Sequence, residues 1–417
     1  MGKRGISHHH QNNGGPTDTI IPRLLSPFHL GPLFRLSHRV VLAPVTRCRA
    51  INNVPQNSHV KFYSQRTTRG GLLISEANAV SPQAFGFPHS PAIFSEEQVK
   101  AWKKVVDAVH DKGGIIFCQL WHVGRASHTV YQPNGEAPIS STANPISEEW
   151  SIMMPDGSKA IYPSPRALET SEIPAIVEQF RAAARNAMAA GFDGVEIHAA
   201  HGYLIDQFLK DGVNDRRDDY GGSLEKRCRF AAEVLQAVVD EIGAERTAIR
   251  LSPIIDHMGA ADSDPLSLTS HLIRLLNSFP CLAYLHMTEP RFTKEGLTED
   301  IASQGDCMAA KMWSIVKNEF RGRLMRSGGY TRQTAMEAVS SCSADMISFG
   351  RLFISNPDLP LRFAIEANLN KYDRSTFYTH DQVVGYTDYP FYMDSTETNS
   401  KDKNNTDIPN CSSVTAN

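Results

Sequence analysis

The residues with the most chemical potential fall in one short run, His198-Ala-Ala-His201-Gly-Tyr203, at the end of the β-prone segment GVEIHA. Two imidazoles can donate hydrogen bonds to one carbonyl oxygen and draw electron density from it. A tyrosine, with an ordinary pKa of about 10, is a weak acid suited to protonating an enolate-like carbon. Residues three apart on an extended strand face opposite sides, so the chain must turn after His198 before both rings can meet one ligand, and Gly202 eases that turn. Zinc would need a third ligand and the i, i+4 spacing of a helical site, which this run lacks. A histidine pair satisfied by backbone in a buried loop fits the same residues.

A second group lies further on. Gly328-Gly329 and Gly350-Arg351 each follow an apolar run, LMRS and MISF. Bare backbone N–H groups and a guanidinium in those places suit a phosphate, as between the last two strands of many barrels, and point to a phosphate-bearing cofactor. Simple glycine turns fit each site taken alone. Other polar residues end up at strand ends too: Thr46, Gln119 with His122, Arg250, and His286 with Arg291.

These side chains need a scaffold. Candidate strands are residues 40–44, 72–77, 115–121, 194–199, 248–253, 283–288, 324–329 and 346–350, and amphipathic helices are expected at 96–112, 175–190, 224–242 and about 332–340. Ser95 and Gln98 read as a capping box for the first of these helices. Eight strands alternating with helices suit a closed (β/α)8 TIM barrel, with catalytic groups at the C-terminal strand ends. An open doubly wound sheet is the alternative, but neither GxGxxG nor GxxxxGK[ST] occurs. Residues 24–38 read as an N-terminal hairpin that caps one mouth. The Pro- and Ser-rich stretch 123–172 reads as a long loop after strand three, over the other mouth.

The chain has 417 residues, 41% hydrophobic, with 42 basic against 45 acidic side chains and a net charge of -3. That balance offers no footprint for nucleic acid or an anionic membrane. No apolar run is long enough to span a bilayer. The seven cysteines are scattered without a CxxC pair, so the expectation is mostly reduced core thiols and no metal site. Residues 1–21, including His8 to His10, and 393–417 are polar and expected to be disordered arms around a barrel at 22–392.

Longer motifs carry a family resemblance. VVLAPVTRCRAINNVPQ, FCQLWHVGRASH, GFDGVEIHAAHGYLIDQFLKDGVNDRRDDYGGSLEKRC, RSGGYT, FGRLFISNPDLPLRF and NKYDRSTFYTHDQVVGYTDYP together resemble the old yellow enzymes and, within them, the plant 12-oxophytodienoate reductases, from about residue 23 to 392. The resemblance implies a barrel that binds FMN tightly but non-covalently, takes hydride from NADPH, and passes it in ping-pong order from flavin N5 to the β-carbon of an α,β-unsaturated carbonyl. Pro44, Val45 and Thr46 would line the flavin edge, and Ala77 and Gln119 its pyrimidine side. Arg250 would lie near N1 and O2, with Gly328, Gly329, Gly350 and Arg351 at the phosphate.

By the same resemblance His198 and His201 would bind the enone oxygen and Tyr203 would protonate the α-carbon. Arg291 and Tyr378 would stand at the mouth of the substrate site. TRCRAINN, GFPHSPAIF, IDHMGAADSDPLSL and LAYLHMTEPR resemble the jasmonate-pathway branch, in which Phe87 and His257 leave room for 12-oxophytodienoate, a cyclopentenone with a long acyl chain. The chain ends Thr-Ala-Asn rather than in a peroxisomal tripeptide, so a cytoplasmic address is expected, with a peroxisomal one the alternative if the jasmonate-pathway resemblance holds, and NSFPCLAYLH is shorter than the family pattern before strand six. A small-molecule enzyme, monomeric or a weak homodimer, is the expected whole. A general small-enone detoxifying reductase and a flavin-binding protein with little turnover are the alternatives.

Overall fold

In the computed structural model, which describes residues 21–290, 292–293, 296–297 and 306–393, the βα alternation becomes a closed ring. Its strands are β1 (Val40–Leu42), β2 (Leu72–Ile74), β3 (Ile115–Trp121), β4 (Gly194–Ala199), β5 (Thr247–Leu251), β6 (Leu285–Thr288), β7 (Leu324–Ser327) and β8 (Met346–Phe349). Each pairs in parallel with the next, and β8 pairs back with β1, which closes the expected (β/α)8 barrel. Arg291 lies outside the described residues. So do the expected disordered arms, apart from Ile21 and Met393.

The strands read as nearly continuous apolar runs because both faces are covered. Outward-facing Val40, Leu42, Ile116, Leu120, Val195, Ile197, Ile249 and Ile347 are buried against the helices. Among these, Glu96–His110 starts as anticipated: Ser95 Oγ accepts the Gln98 N–H at 3.3 Å, and Gln98 Oε1 accepts the Ser95 N–H at 3.0 Å. Ile173–Ala189 buries Ile176, Phe180, Ala183 and Ala187, and Leu224–Ile242 buries Phe230, Val234, Ala237 and Val238.

The barrel interior changes along its axis. At the N-terminal ends, Val41, Leu72, Ile74, Phe117, Ala248, Met325 and Met346 form an apolar layer. The hairpin Phe28–Leu30 with Phe34–Leu36 plugs this end, burying Leu30, Phe34 and Leu36 against that layer, with the Phe34 and Phe117 rings 5.7 Å apart edge to face. Toward the other end the inward positions become Gln119, Glu196, His198, Arg250, His286 and Ser348. Water and ligands therefore have one polar mouth to enter.

One expected strand changes, and one helix was not anticipated. The second strand stops at Ile74 and resumes at Asn78–Ala79, also against β3; Ile74 pairs with Phe117 and Asn78 with Leu120, so one extra residue bulges between them. The Asn78 amide donates to Ser75 Oγ and Glu76 O and holds the bulge that turns Ala77 to the mouth. The helix Asn57–Arg66 carried no apolar stripe because its buried face includes His59 and Arg66 beside Phe62 and Tyr63. The cysteines agree with the expectation of mostly core thiols: among those whose burial is described, Cys48, Cys118 and Cys228 are buried and free, while Cys281 and Cys342 are exposed.

The excursion at 123–172 contains only short turns and two-residue pairings, Ile139–Ser140 with Arg166–Ala167 and Ile152–Met153 with Lys159–Ala160. Its Ile146, Ile152 and Tyr162 pack with Ala77, Trp121, Val123 and Met258, roofing the polar mouth as expected.

Candidate active site

β4 delivers His198 in register with Arg250 on β5, and Arg250 in register with His286 on β6. Past Ala199 the chain makes the turn that the histidine spacing required. His201 adopts φ 57° and Gly202 φ 74°, the left-handed region. A Cβ on Gly202 would sit 2.5 Å from the His257 carbonyl oxygen, so only glycine fits there. The His198 and His201 rings then lie 5.5 Å apart, and Tyr203 opens the helix Leu204–Leu209 with its ring 5.0 Å from His198 and 5.0 Å from Trp121, both edge to face.

A backbone hydrogen bond fixes the proton of the first ring. His198 Nδ1 accepts the Ala200 N–H at 3.3 Å, which leaves its proton on Nε2. The Thr288 hydroxyl is 3.1 Å from His201 Nε2, 3.4 Å from Arg250 Nη2 and 3.3 Å from Ser327 Oγ, so β5, β6 and β7 all converge on His201. Burial, reinforced by the Arg250 charge, holds both imidazoles well below their ordinary pKa. Both rings are therefore held in the neutral form. Burial pushes the Tyr203 phenol up, so it keeps its proton.

Below them is a polar floor. Gln119 Nε2 donates to Glu196 Oε1 at 2.7 Å, His286 Nδ1 meets Glu196 Oε2 at 2.9 Å, and His286 Nε2 meets Ser348 Oγ at 2.9 Å. Burial alone would raise the Glu196 carboxyl, but His286, Arg250 and Gln119 together hold it below its ordinary value. His286, which sequence position had put among the mouth residues, is instead fully buried in this floor. His122 turns away as well: its Nδ1 accepts the Gly124 N–H and its carbonyl accepts the Leu204 N–H, anchoring the helix that carries Tyr203.

At the rim the structure brings Phe87 and Tyr378 together, with ring centroids 6.4 Å apart, and Phe87 lies 5.8 Å from Trp121. His257 stands on the loop after β5, edge-on to Trp150 of the excursion at 4.7 Å. Trp121, Trp150, Tyr162 and Thr288 were not anticipated from sequence. Trp121 ends a strand as one more apolar residue, and the others reach the site only through the fold. Among the described residues, no three His, Cys, Asp or Glu side chains are placed to share a metal ion.

Residues 23–371 match the sequence model of the NADH:flavin oxidoreductase / NADH oxidase family. The chain belongs to that family, the old yellow enzymes. It is similar to 12-oxophytodienoate reductase 7 of Oryza sativa subsp. japonica, 61% identical over 88% of this chain and 94% of the relative. It is also similar to 12-oxophytodienoate reductase 1 of the same organism, 54% identical over 88% and 93%. A solved structure of morphinone reductase in complex with tetrahydroNAD is 43% identical, covers 90% of this chain and 99% of its own, and superposes with a TM-score of 0.80.

An old yellow enzyme is an oxidoreductase that uses a flavin, and FMN is the one this family implies. The residues present fit such a group. Arg250 Nε is buried without a hydrogen-bond partner and is suited to a polar ring edge, as is the neighbouring Gln119 amide. Pro44, Val45 and Thr46 leave β1 half-buried at the mouth beside Gly350, where an added Cβ would come within 3.1 Å of Val45 Cγ1. Gly328 at φ 106° and Gly329 at φ 72° turn the backbone after β7, and Arg351 opens the helix after β8, half-buried with Tyr372 OH at 3.5 Å. Together these groups could hold a phosphate.

Proposed function

We propose that this protein is an FMN-dependent reductase of the C=C bond of α,β-unsaturated carbonyl compounds, with NADPH as reductant and 12-oxophytodienoate, a jasmonate precursor, as preferred substrate. The single observation that carries the reading is the His198, His201 and Tyr203 cluster above the Arg250 row. When bound, FMN supplies the hydride chemistry that no side chain here can perform.

The chain's own residues do the rest. Two neutral imidazoles bind a carbonyl oxygen as donors and stabilise the negative charge that grows on it. Arg250 and Gln119 would hold the ring edge of the cofactor, the glycine turns and Arg351 its phosphate, and Thr46 its exposed edge. Tyr203, buried and protonated, hands its proton to the α-carbon, and the aromatic wall of Trp121 and Phe87 excludes water. The rings at the rim, Phe87 beside Tyr378 and Trp150 beside His257, suit a cyclic substrate bearing a long apolar chain. The two 12-oxophytodienoate reductase relatives support that choice.

Anaerobic NADPH is expected to bleach the yellow holoprotein, and either enantiomer of 12-oxophytodienoate to restore its colour. A colourless protein that FMN cannot reconstitute would sink the reading. Faster turnover with cyclohexenone than with both enantiomers would instead assign a general small-enone reductase.

A further inference from the structure

The helix Leu204–Leu209 ends in a buried ion pair that the proposed chemistry does not use. Lys210 Nζ lies 3.1 Å from Asp206 Oδ2, with both side chains essentially inaccessible. The ammonium also donates to the Ser252 carbonyl at 3.0 Å and to the Ile255 carbonyl, so its three protons are all taken. Asp206 Oδ2 accepts the Gly202 N–H at 2.8 Å, and Ser252 Oγ accepts the His201 N–H at 2.8 Å. Gln207 Nε2 grips the other side of the same turn through the Gly202 carbonyl at 2.7 Å.

A buried ion pair is a poor source of net stability, because desolvation offsets most of its attraction and apolar replacements are often neutral. This one, however, is wired to backbone at two places whose geometry matters. One is the left-handed His201–Gly202 turn, and the other is the loop after β5 that carries His257.

We propose that Asp206 and Lys210 are positioning residues for the carbonyl-binding site: their ion pair locks the His201–Gly202 turn to the loop after β5 and so sets how tightly a carbonyl oxygen is held. The inference rests on the reading of His198 and His201 as the oxygen's donors. Misplacing a donor by about 1 Å costs up to about a hundredfold in a reaction that depends on its alignment. The pair acts through His201 and touches no substrate.

The test is the double variant Asp206→Asn/Lys210→Met, which leaves neither charge unpaired in the core. Loaded with FMN, it is expected to show kcat/KM for cyclohexenone lowered about tenfold or more, with KM itself raised. Affinity of the oxidised protein for 4-hydroxybenzaldehyde, whose phenol oxygen can accept from the same two imidazoles, is expected to fall about tenfold, read from the flavin absorbance without turnover. A merely structural pair would lower the melting temperature and move neither quantity.

If the double variant does not fold, Ser252→Ala, which removes only the acceptor of the His201 N–H, is expected to move both quantities in the same direction by about threefold. Unchanged kcat/KM and phenol affinity in whichever of the two variants folds overturn the proposal. His201→Ala separates the two levels: if it too leaves phenol affinity unchanged, the paired-donor reading itself is wrong.

Discussion

A phenol raised by burial is a poor acid toward water but a sufficient one toward a carbanion-like carbon, and Tyr203 is held in that state between His198 and Trp121. Tyr203→Phe keeps the ring packing and removes only the transferable proton. Flavin reduction by NADPH is expected to stay within about twofold, while reoxidation by enone falls about a hundredfold or more, resolved by stopped-flow measurement of each half-reaction. Equal loss in both halves would mean that the hydroxyl binds rather than donates. The three residues of this cluster were legible in the sequence because their spacing forced a turn and Gly202 allowed it. Glu196, Thr288 and Ser327 were not, since as single letters they are ordinary strand residues. Their roles come from register, which sets His198, Arg250 and His286 side by side across three strands.

The element that most shapes the rim is the segment 372–387, which crosses back over residues 47–66 and carries Tyr378. Three buried arginines hold it by its carbonyls. Arg47 donates to Phe377 O at 3.1 Å and Gly385 O at 2.7 Å; Arg49 to Thr376 O at 2.9 Å, Asp381 O at 2.6 Å and Val384 O at 3.1 Å; Arg66 to Tyr386 O at 3.3 Å. Tyr372, where the segment begins, lies under the Arg351 guanidinium, 5.6 Å from its ring centre. Arg49→Met is therefore expected to cost about 3 kcal/mol, from carbonyls left without a donor, and to speed FMN loss on dialysis through the Tyr372 end. A variant that retains FMN and melts like the parent would show the clamp to be dispensable. Sequence reading found the aromatic residues of this segment but not what holds it, for TRCR gives no sign that its arginines point inward. The same blindness hid the helix Asn57–Arg66, which buries Arg66. By contrast β3, β4 and the helix Leu224–Ile242 have the limits read from their apolar patterns, because the apolar residues on their helix-packed or sheet-packed faces keep the period even where Gln119, Glu196, His198 and Arg227 are buried among them.

At the scale of the whole molecule, the near-neutral charge hides an uneven arrangement of titratable groups. Burial lowers His38 to about 4, His59 to about 3, His122 to about 3 and His257 to about 4, in four separate parts of the fold. Each has a folded pKa below its unfolded value of 6.5, so as pH falls below 6.5 the unfolded chain takes up protons that the folded chain refuses, and stability is lost. Glu76 works the other way. Burial raises it to about 7, so between 4.5 and 7 it favours the folded state increasingly as pH falls, offsetting about one of the four histidines. These five groups alone leave a net of about three protons, a slope of about 4 kcal/mol per pH unit near pH 5 to which His198 and His201 add in the same direction, against almost none from the five between pH 7 and 8. In a barrel of this size that is about 5 °C per pH unit, measurable by calorimetric scans of the holoprotein at closely spaced pH values. His122→Asn, which keeps an acceptor for the Gly124 N–H but cannot titrate, is expected to remove about 1.4 kcal/mol per pH unit from that slope. A melting temperature that is flat from pH 7 to 5 would mean that these imidazoles are solvated in the folded protein, and would withdraw the same burial argument from His198 and His201.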